Sequence, residues 1–127
     1  RGIAKIYGVL AGDGTELGIS SATRRELFAP AAAPASGSHD AVLKIDTRYG
    51  FGFSRPSLAM RFGSDGSAFG CPGAGGCFGM ADPTEQLGFA YVTNKMGFHL
   101  FDDPRERACR EACYASLAAM RLTKRAA

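Results

Sequence analysis

Gly70-Cys71-Pro72-Gly73-Ala74-Gly75-Gly76-Cys77-Phe78-Gly79, continuing through Asp82-Pro83 into Leu87-Gly88-Phe89-Ala90-Tyr91-Val92-Thr93-Asn94, is the stretch that decides how this chain folds. Five glycines in ten residues remove side chains where a backbone must bend or be approached closely, and an apolar strand pattern comes directly after them. The combination reads as the wall of a site. A phosphate-binding loop fails on two counts: no Lys-Ser/Thr closes the glycines, and residues 77–82 have the pattern of a strand, so no helix N-terminus faces an anion. The plainer alternative is structural, with the glycines letting one strand pass close to another backbone.

Downstream of the glycines, residues 77–82 read as a strand. Asp82-Pro83-Thr84-Glu85 then has Asp at the first and Pro at the second position of a type I turn. A hairpin results, with residues 86–94 as its return strand. Leu87, Phe89 and Tyr91 fall on one face and Gly88, Ala90 and Val92 on the other, so both faces read as covered and the strand as an inner one. Asp103-Pro104-Arg105-Glu106 then starts a helix with Asp as N-cap, Pro at the first position and Glu at the third, the reciprocal capping arrangement. The helix is expected to run to about Arg121. Its stripe of Ala108, Cys109, Ala112, Cys113, Leu117 and Met120 would lie across one face of the hairpin.

Upstream, residues 67–71 are the approach strand, Gly63-Ser64-Asp65-Gly66 is a turn, and 58–62 reads as another short strand. Leu43-Lys44-Ile45 and the run 47–53 (TRYGFGF) alternate aromatic with small residues in a strand pattern, broken by Ser54-Arg55-Pro56-Ser57. Ile3, Ile6, Tyr7 and Leu10 recur at helical spacing, predicting a helix over 2–11 that stops at Gly12-Asp13-Gly14. A short extended link at 17–19 leads to Ser20, which offers an N-cap oxygen to a second helix through about Phe28, stopped by Pro30. Residues 29–40 form a loop by composition, in which His39 beside Asp40 is expected to be an exposed residue without a role. The order of helix, helix, several antiparallel strands and helix is α+β.

The chain has 127 residues, 46% of them hydrophobic, and a net charge of only +3, which is globular usage with no demand for an acidic partner. Nucleic acid is therefore not expected as a partner. Arg121, Lys124 and Arg125 read as a solvated last helical turn. No run approaches a membrane span and no secretory leader opens the chain, so a cytoplasmic location and no membrane contact are expected. The chain begins on Arg1 and enters a helical pattern directly, which implies further sequence upstream. Cys71, Cys77, Cys109 and Cys113 form C-x5-C and C-x3-C spacings, neither of them the close pair of a zinc ribbon. Reduced thiols are expected, with Cys109 and Cys113 in the core. A structural metal held by these cysteines with His99 is the rival of a different class.

The run CPGAGGCFGMADPTEQLGFAYVTNKM, residues 71–96, resembles the end of the serine β-lactamase-like hydrolases, a family that includes class C β-lactamases and related carboxylesterases. In that family a Lys-Thr-Gly or His-x-Gly box on the strand edging the active site is followed by glycines, a Pro-containing turn and a strand ending near Asn-Lys. Here the box falls on Cys71-Pro72-Gly73, the turn on Asp82-Pro83 and the ending on Asn94-Lys95. The helix of Ile3-Ala4-Lys5-Ile6-Tyr7-Gly8 and the last helix, Pro104-Arg105-Glu106-Arg107, are also similar. The resemblance implies the C-terminal part of the β-lactamase/transpeptidase-like fold, with residues 1–127 an incomplete domain. It further implies cleavage of a small ester or amide substrate through an acyl-enzyme, with no metal or organic cofactor.

The family's catalytic Ser-x-x-Lys and its Tyr-x-Asn are not in this chain. Of the nucleophile, base and oxyanion donors that acyl transfer needs, the resemblance leaves this chain the last alone, as the backbone N–H of Ala74. The chain by itself is therefore expected to be inactive. Cys71 departs from the family, since a neutral thiol offers neither the charge nor the strong hydrogen bond of the usual Lys or His. That departure supports an alternative, a non-catalytic binding or scaffold member of the same fold. Self-association through an exposed apolar face is also expected, because partners from elsewhere in the fold would cover the sheet.

Overall fold

A computed structural model of the chain describes residues 1–30 and 32–126; Ala31, in the expected 29–40 loop, lies outside the described residues. Helix α1 (Gly2–Ala11) and, after a 3₁₀ turn at Thr15–Leu17, helix α2 (Ser21–Phe28) precede the sheet. Ser20 caps α2 as expected, its hydroxyl oxygen accepting from the Thr23 N–H at 3.1 Å. Five strands come next: β1 (Tyr49–Gly50), β2 (Phe53–Ser54), β3 (Phe69–Gly73), β4 (Cys77–Asp82) and β5 (Leu87–Tyr91). They form one antiparallel sheet in sequence order, and helix α3 (Pro104–Ala126) closes the chain. The fold is α+β.

The period of two along each strand sorts the core into two layers. Phe69 pairs with Ala81 and Gly70 with Met80, so Phe69 and Ala81 share one face while Met80 and Phe78 share the other. On the first face Tyr7, Leu10 and Ala11 of α1 and Leu27 of α2 join Phe69 and Ala81. Phe53 packs there tilted against Phe69, with centroids 5.1 Å apart, and edge-on to Tyr7 at 6.1 Å. On the second face Phe62, Ala68, Phe78 and Met80 are buried, with Phe89 and Tyr114 against them. Phe69 and Met80 are both fully buried, and burial of such side chains contributes about 1.5–3 kcal/mol each.

Arg55, read in the sequence only as part of a strand break, is buried. Its guanidinium donates to the carbonyls of Ser67 (2.9 Å), Ala29 (3.2 Å) and Leu27 and lies 5.3 Å over the Phe69 ring. It ties the C-terminus of α2 to the sheet, where a cation complements the helix's unpaired carbonyls.

Several expectations are corrected. The 47–53 run is two strands and not one, because Phe51 and Gly52 both take positive φ (52° and 79°) and turn the chain into a two-residue hairpin. Residues 43–45 are not extended: the chain turns over 41–43, where Asp40 accepts from the Val42 and Leu43 N–H groups at 2.8 Å, a local bond that wins over extension, and Lys44 takes a φ of 58°. The expected strand at 58–62 is irregular, closed by the Ser57 N–H donating to the Met60 carbonyl at 2.9 Å. The link at 17–19 begins as the end of the 3₁₀ turn, with Gly18 left-handed.

The return strand stops at Tyr91 rather than Asn94, and β5 is the edge of the described sheet, not an inner strand. Its apolar second face reflects α3-side packing, and its first face the close seat of α1. On α3, Ala108, Cys109, Ala112 and Met120 are exposed while Glu106 and Arg110 are buried. The face turned inward is thus Glu106-Arg110-Tyr114-Leu117, and Cys109 is not in the core. Glu106 does not complete a capping box. It holds Arg110 at 2.6 Å, and Arg110 reaches on to the Arg61 carbonyl (3.0 Å) and Asp102 (3.2 Å).

Candidate functional site

Backbone geometry makes the glycine-rich turn. The Gly76 N–H donates to the Gly73 carbonyl at 3.1 Å, closing a turn over 73–76 in which Gly75 and Gly76 take φ of 95° and 101°. Side chains are strained in that region, which is why the glycines sit there. Ala74 stands exposed at the tip, while Gly75 and Gly76 are buried.

An ion pair at the start of α3 covers the two buried glycines. Arg105 grips Asp103 with Nε on Oδ1 (2.9 Å) and Nη2 on Oδ2 (2.8 Å), and Asp103 also caps the helix by accepting the Arg105 backbone N–H at 2.9 Å. The guanidinium holds the Asp103 carboxyl far below the usual carboxylate range, and the carboxylate in turn pushes Arg105 up. Arg105 goes on to the Lys95 carbonyl (2.8 Å), Thr93 Oγ1 (3.2 Å) and the Gly75 carbonyl (3.3 Å). A second donor to the Gly75 carbonyl is the Gly97 N–H, at 2.9 Å. The fit is close: a Cβ on Gly76 would lie 2.3 Å from Asp103 Oδ2, and one on Gly97 2.9 Å from Arg105 Nη2.

Cys71, Pro72 and Gly73 all lie on β3, and Cys71 is exposed. Strand β2 meets β3 only through the Ser54–Gly70 pair, so from Cys71 onward β3 runs past its neighbour with that edge unoccupied by any described strand. A cavity of about 230 Å³ opens at this edge, with Cys71 and Pro72 on one side and Leu43, Ile45, Tyr49 and Phe101 among its apolar walls. The arrangement can accept a small, largely apolar group.

Of the two histidines, His99 borders the clasp and His39 lies apart from it. His39 faces Asp46 at 3.5 Å in an exposed pair, not Asp40, and His99 faces Asp103 at 3.7 Å. Among the described residues the one hydrogen-bond partner of the Cys71 thiol is the Pro72 carbonyl, 3.6 Å away. All four cysteines are free, and among the described residues no three His, Cys, Asp or Glu are placed to hold a metal ion. Tyr7 lies on the same face of the sheet as Cys71: its ring would be 2.5 Å from a Cβ on Gly79, the cross-strand partner of Cys71, and burial first, and Cys71 second, push its phenol up. Among the described residues no helix is long and apolar enough to cross a membrane.

The Asp103–Arg105 clasp went unread in the sequence beyond the N-cap role of Asp103. Three of Arg105's partners are carbonyl or hydroxyl oxygens of residues 10 to 30 positions away, and no local pattern encodes them. The signal available was the coincidence of glycines at 75, 76 and 97 with a helix that begins Asp-Pro-Arg.

No family model matches the chain, and no curated protein matches it. Solved structures do. A family VIII carboxylesterase is 36% identical with a TM-score of 0.78, over 91% of this chain and 31% of its own. A penicillin-binding protein homologue from Caulobacter crescentus is 36% identical with a TM-score of 0.75, over 90% of this chain and 30% of its own. The chain spans about a third of the length of these structures.

Proposed function

Because this chain has the C-terminal part of the serine β-lactamase-like hydrolase fold, we propose that it forms one wall of an acyl-transfer site and carries none of its covalent chemistry. In this reading Cys71-Pro72-Gly73 takes the place of the Lys-Thr-Gly or His-x-Gly box. The Ala74 N–H is the oxyanion donor on this side. Residues 1–127 are an incomplete domain, and the nucleophile and base, a Ser-x-x-Lys, come from the two thirds of the fold that this chain does not span. The whole protein then cleaves a small ester or amide through an acyl-enzyme, with the acyl or alcohol group against the apolar cavity at the β3 edge.

The carrying observation is the exposed Ala74 at the tip of a turn whose next two residues are buried, directly beyond an open strand edge with an apolar cavity beside it. Preorganisation of this kind is what oxyanion stabilisation requires, because donors that must reorient give back most of the gain. Cys71 favours a second reading, a non-catalytic binding member of the same fold: it supplies no cation for a substrate carboxylate and no imidazole for a proton network.

The test is titration of ¹⁵N-labelled chain with phenylacetate, whose ring suits the cavity and whose carboxylate stands in for the oxyanion. The Ala74 amide resonance should move downfield in step with signals from Tyr49. An Ala74 resonance that stays in place while Tyr49 moves would refute the donor role.

A further inference from the structure

We propose that Arg105, pinned by Asp103, sets the direction of the Ala74 N–H and is a positioning residue for the oxyanion site; the inference rests on the donor role assigned above. The effect passes through peptide planes. Each peptide unit is planar and trans, so its N–H points opposite to its C=O. The unit joining Gly75 to Gly76 is held at both ends: its carbonyl accepts from Arg105 Nη2 (3.3 Å) and the Gly97 N–H (2.9 Å), and its N–H donates to the Gly73 carbonyl (3.1 Å). That last bond fixes the plane of the unit joining Gly73 to Ala74. With its carbonyl turned inward to Gly76, its N–H is turned outward, at the exposed tip. Two glycines with positive φ would otherwise leave the turn several accessible conformations.

Arg105 can hold the turn because it is itself held. Both carboxylate oxygens of Asp103 take its fork, and its remaining nitrogen bonds Thr93 Oγ1 and the Lys95 carbonyl just beyond β5. The carboxylate is almost completely buried, and the ion pair sits between Gly76 and Gly97 with no room for a Cβ at either. Lysine could not replace it. An ammonium is a point charge and cannot hold two carboxylate oxygens and two carbonyls in one plane. His99 is the other titratable group against this carboxylate, at 3.7 Å.

The test is amide hydrogen exchange by NMR on the chain and on Arg105→Ala, Arg105→Lys and, as a control from the same helix, Arg107→Ala, whose exposed side chain pairs with Glu111 and Asp102 and, among the described residues, makes no hydrogen bond to the turn. Exchange at Gly76 and Gly97 should accelerate about tenfold or more in both Arg105 variants, the loss of roughly one charge-assisted hydrogen bond, with amides of α1 unchanged. The phenylacetate-induced shift of Ala74 should be lost in both and kept in Arg107→Ala. If the alanine variant does not fold, the lysine variant carries the measurement. Unchanged Gly76 exchange in a folded Arg105 variant, or full rescue by lysine, would overturn the proposal. If wild-type Ala74 ignores phenylacetate while Gly76 exchange still rises in Arg105→Lys, the clamp stands and the oxyanion reading falls.

Discussion

Gly88 of β5 lies directly against Gly8 of α1: a Cβ on Gly88 would stand 2.1 Å from the Gly8 nitrogen and 2.4 Å from the Ala4 carbonyl oxygen. Helix α1 therefore rests on the sheet backbone to backbone. Gly88→Ala should destabilise the chain by about 1–3 kcal/mol, the usual cost of forcing atoms into a filled site, seen as a lower urea midpoint. Gly2→Ala, where nothing lies within 4 Å, is the control. Equal midpoints for Gly88→Ala and wild type would contradict the seating of α1.

The Asp82 carboxylate is completely buried and has no cationic partner among the described residues; it accepts from Ser64 N–H (2.6 Å), Ser64 Oγ (3.0 Å), Glu85 N–H (3.1 Å) and Tyr114 Oη (2.6 Å). Tyr114→Phe removes one of these donors and should cost about 1.5–3 kcal/mol, the range for hydrogen bonds to charged groups. Burial first, and the Asp82 hydrogen bond second, push the Tyr114 phenol well above its ordinary value. Its contribution is thus present below about pH 10 and is lost as pH rises beyond the unfolded phenol's range. Thermal melts from about pH 8 to about pH 11 should show a steeper alkaline loss in wild type than in Tyr114→Phe. Parallel curves would exclude this role.

Asp103 gives the opposite slope. Its carboxyl is held far below the usual range by Arg105, so its contribution is complete above about pH 4 and fades as pH falls through the folded-state value. Asp13 and Asp40 are also depressed, by hydrogen bonds from their own loops, and Asp65 by hydrogen bonds from Ser67 and from Thr84 of the β4–β5 turn, so all three share the acid limb. In Asp103→Asn the fall in stability between about pH 5 and about pH 2 should be shallower than in wild type. A slope equal to wild type would mean the pair contributes nothing differential to folding.

Strand β5 pairs with β4 and with no other described strand, and Val92, Met96 and Phe98 beside its end are exposed. An open edge beside apolar side chains invites pairing with another chain. Sedimentation should show association that rises with concentration and weakens in the double variant Val92→Lys, Phe98→Ser. A monomer at every concentration would remove this expectation.

The hairpin around the glycines was legible because its signals are local. Period-two alternation gives β4 and β5, and Asp82-Pro83 gives their connection. The helices α1 and α2 and the start of α3 were legible for the same reason. What failed was whatever depended on a distant partner. Nothing near residues 47–53 says that Phe51 accepts a left-handed φ, and the small residues of α3 read as an inner stripe although Arg110 and Tyr114, bound to Asp102, Glu106 and Asp82, turn the helix the other way. The box at Cys71 to Gly73 was placed by resemblance, whereas the clasp that orders the turn after it became visible only in the fold.

A wall without covalent chemistry is tested by incubating the purified chain with 4-nitrophenyl butyrate and a chromogenic β-lactam, followed by intact-mass analysis, in wild type and in Cys71→Ala. Hydrolysis at the background rate and no covalent acyl adduct are expected in either protein, because a wall with one oxyanion donor has neither nucleophile nor base. Turnover with an acyl adduct that disappears in Cys71→Ala would contradict this and make Cys71 the nucleophile.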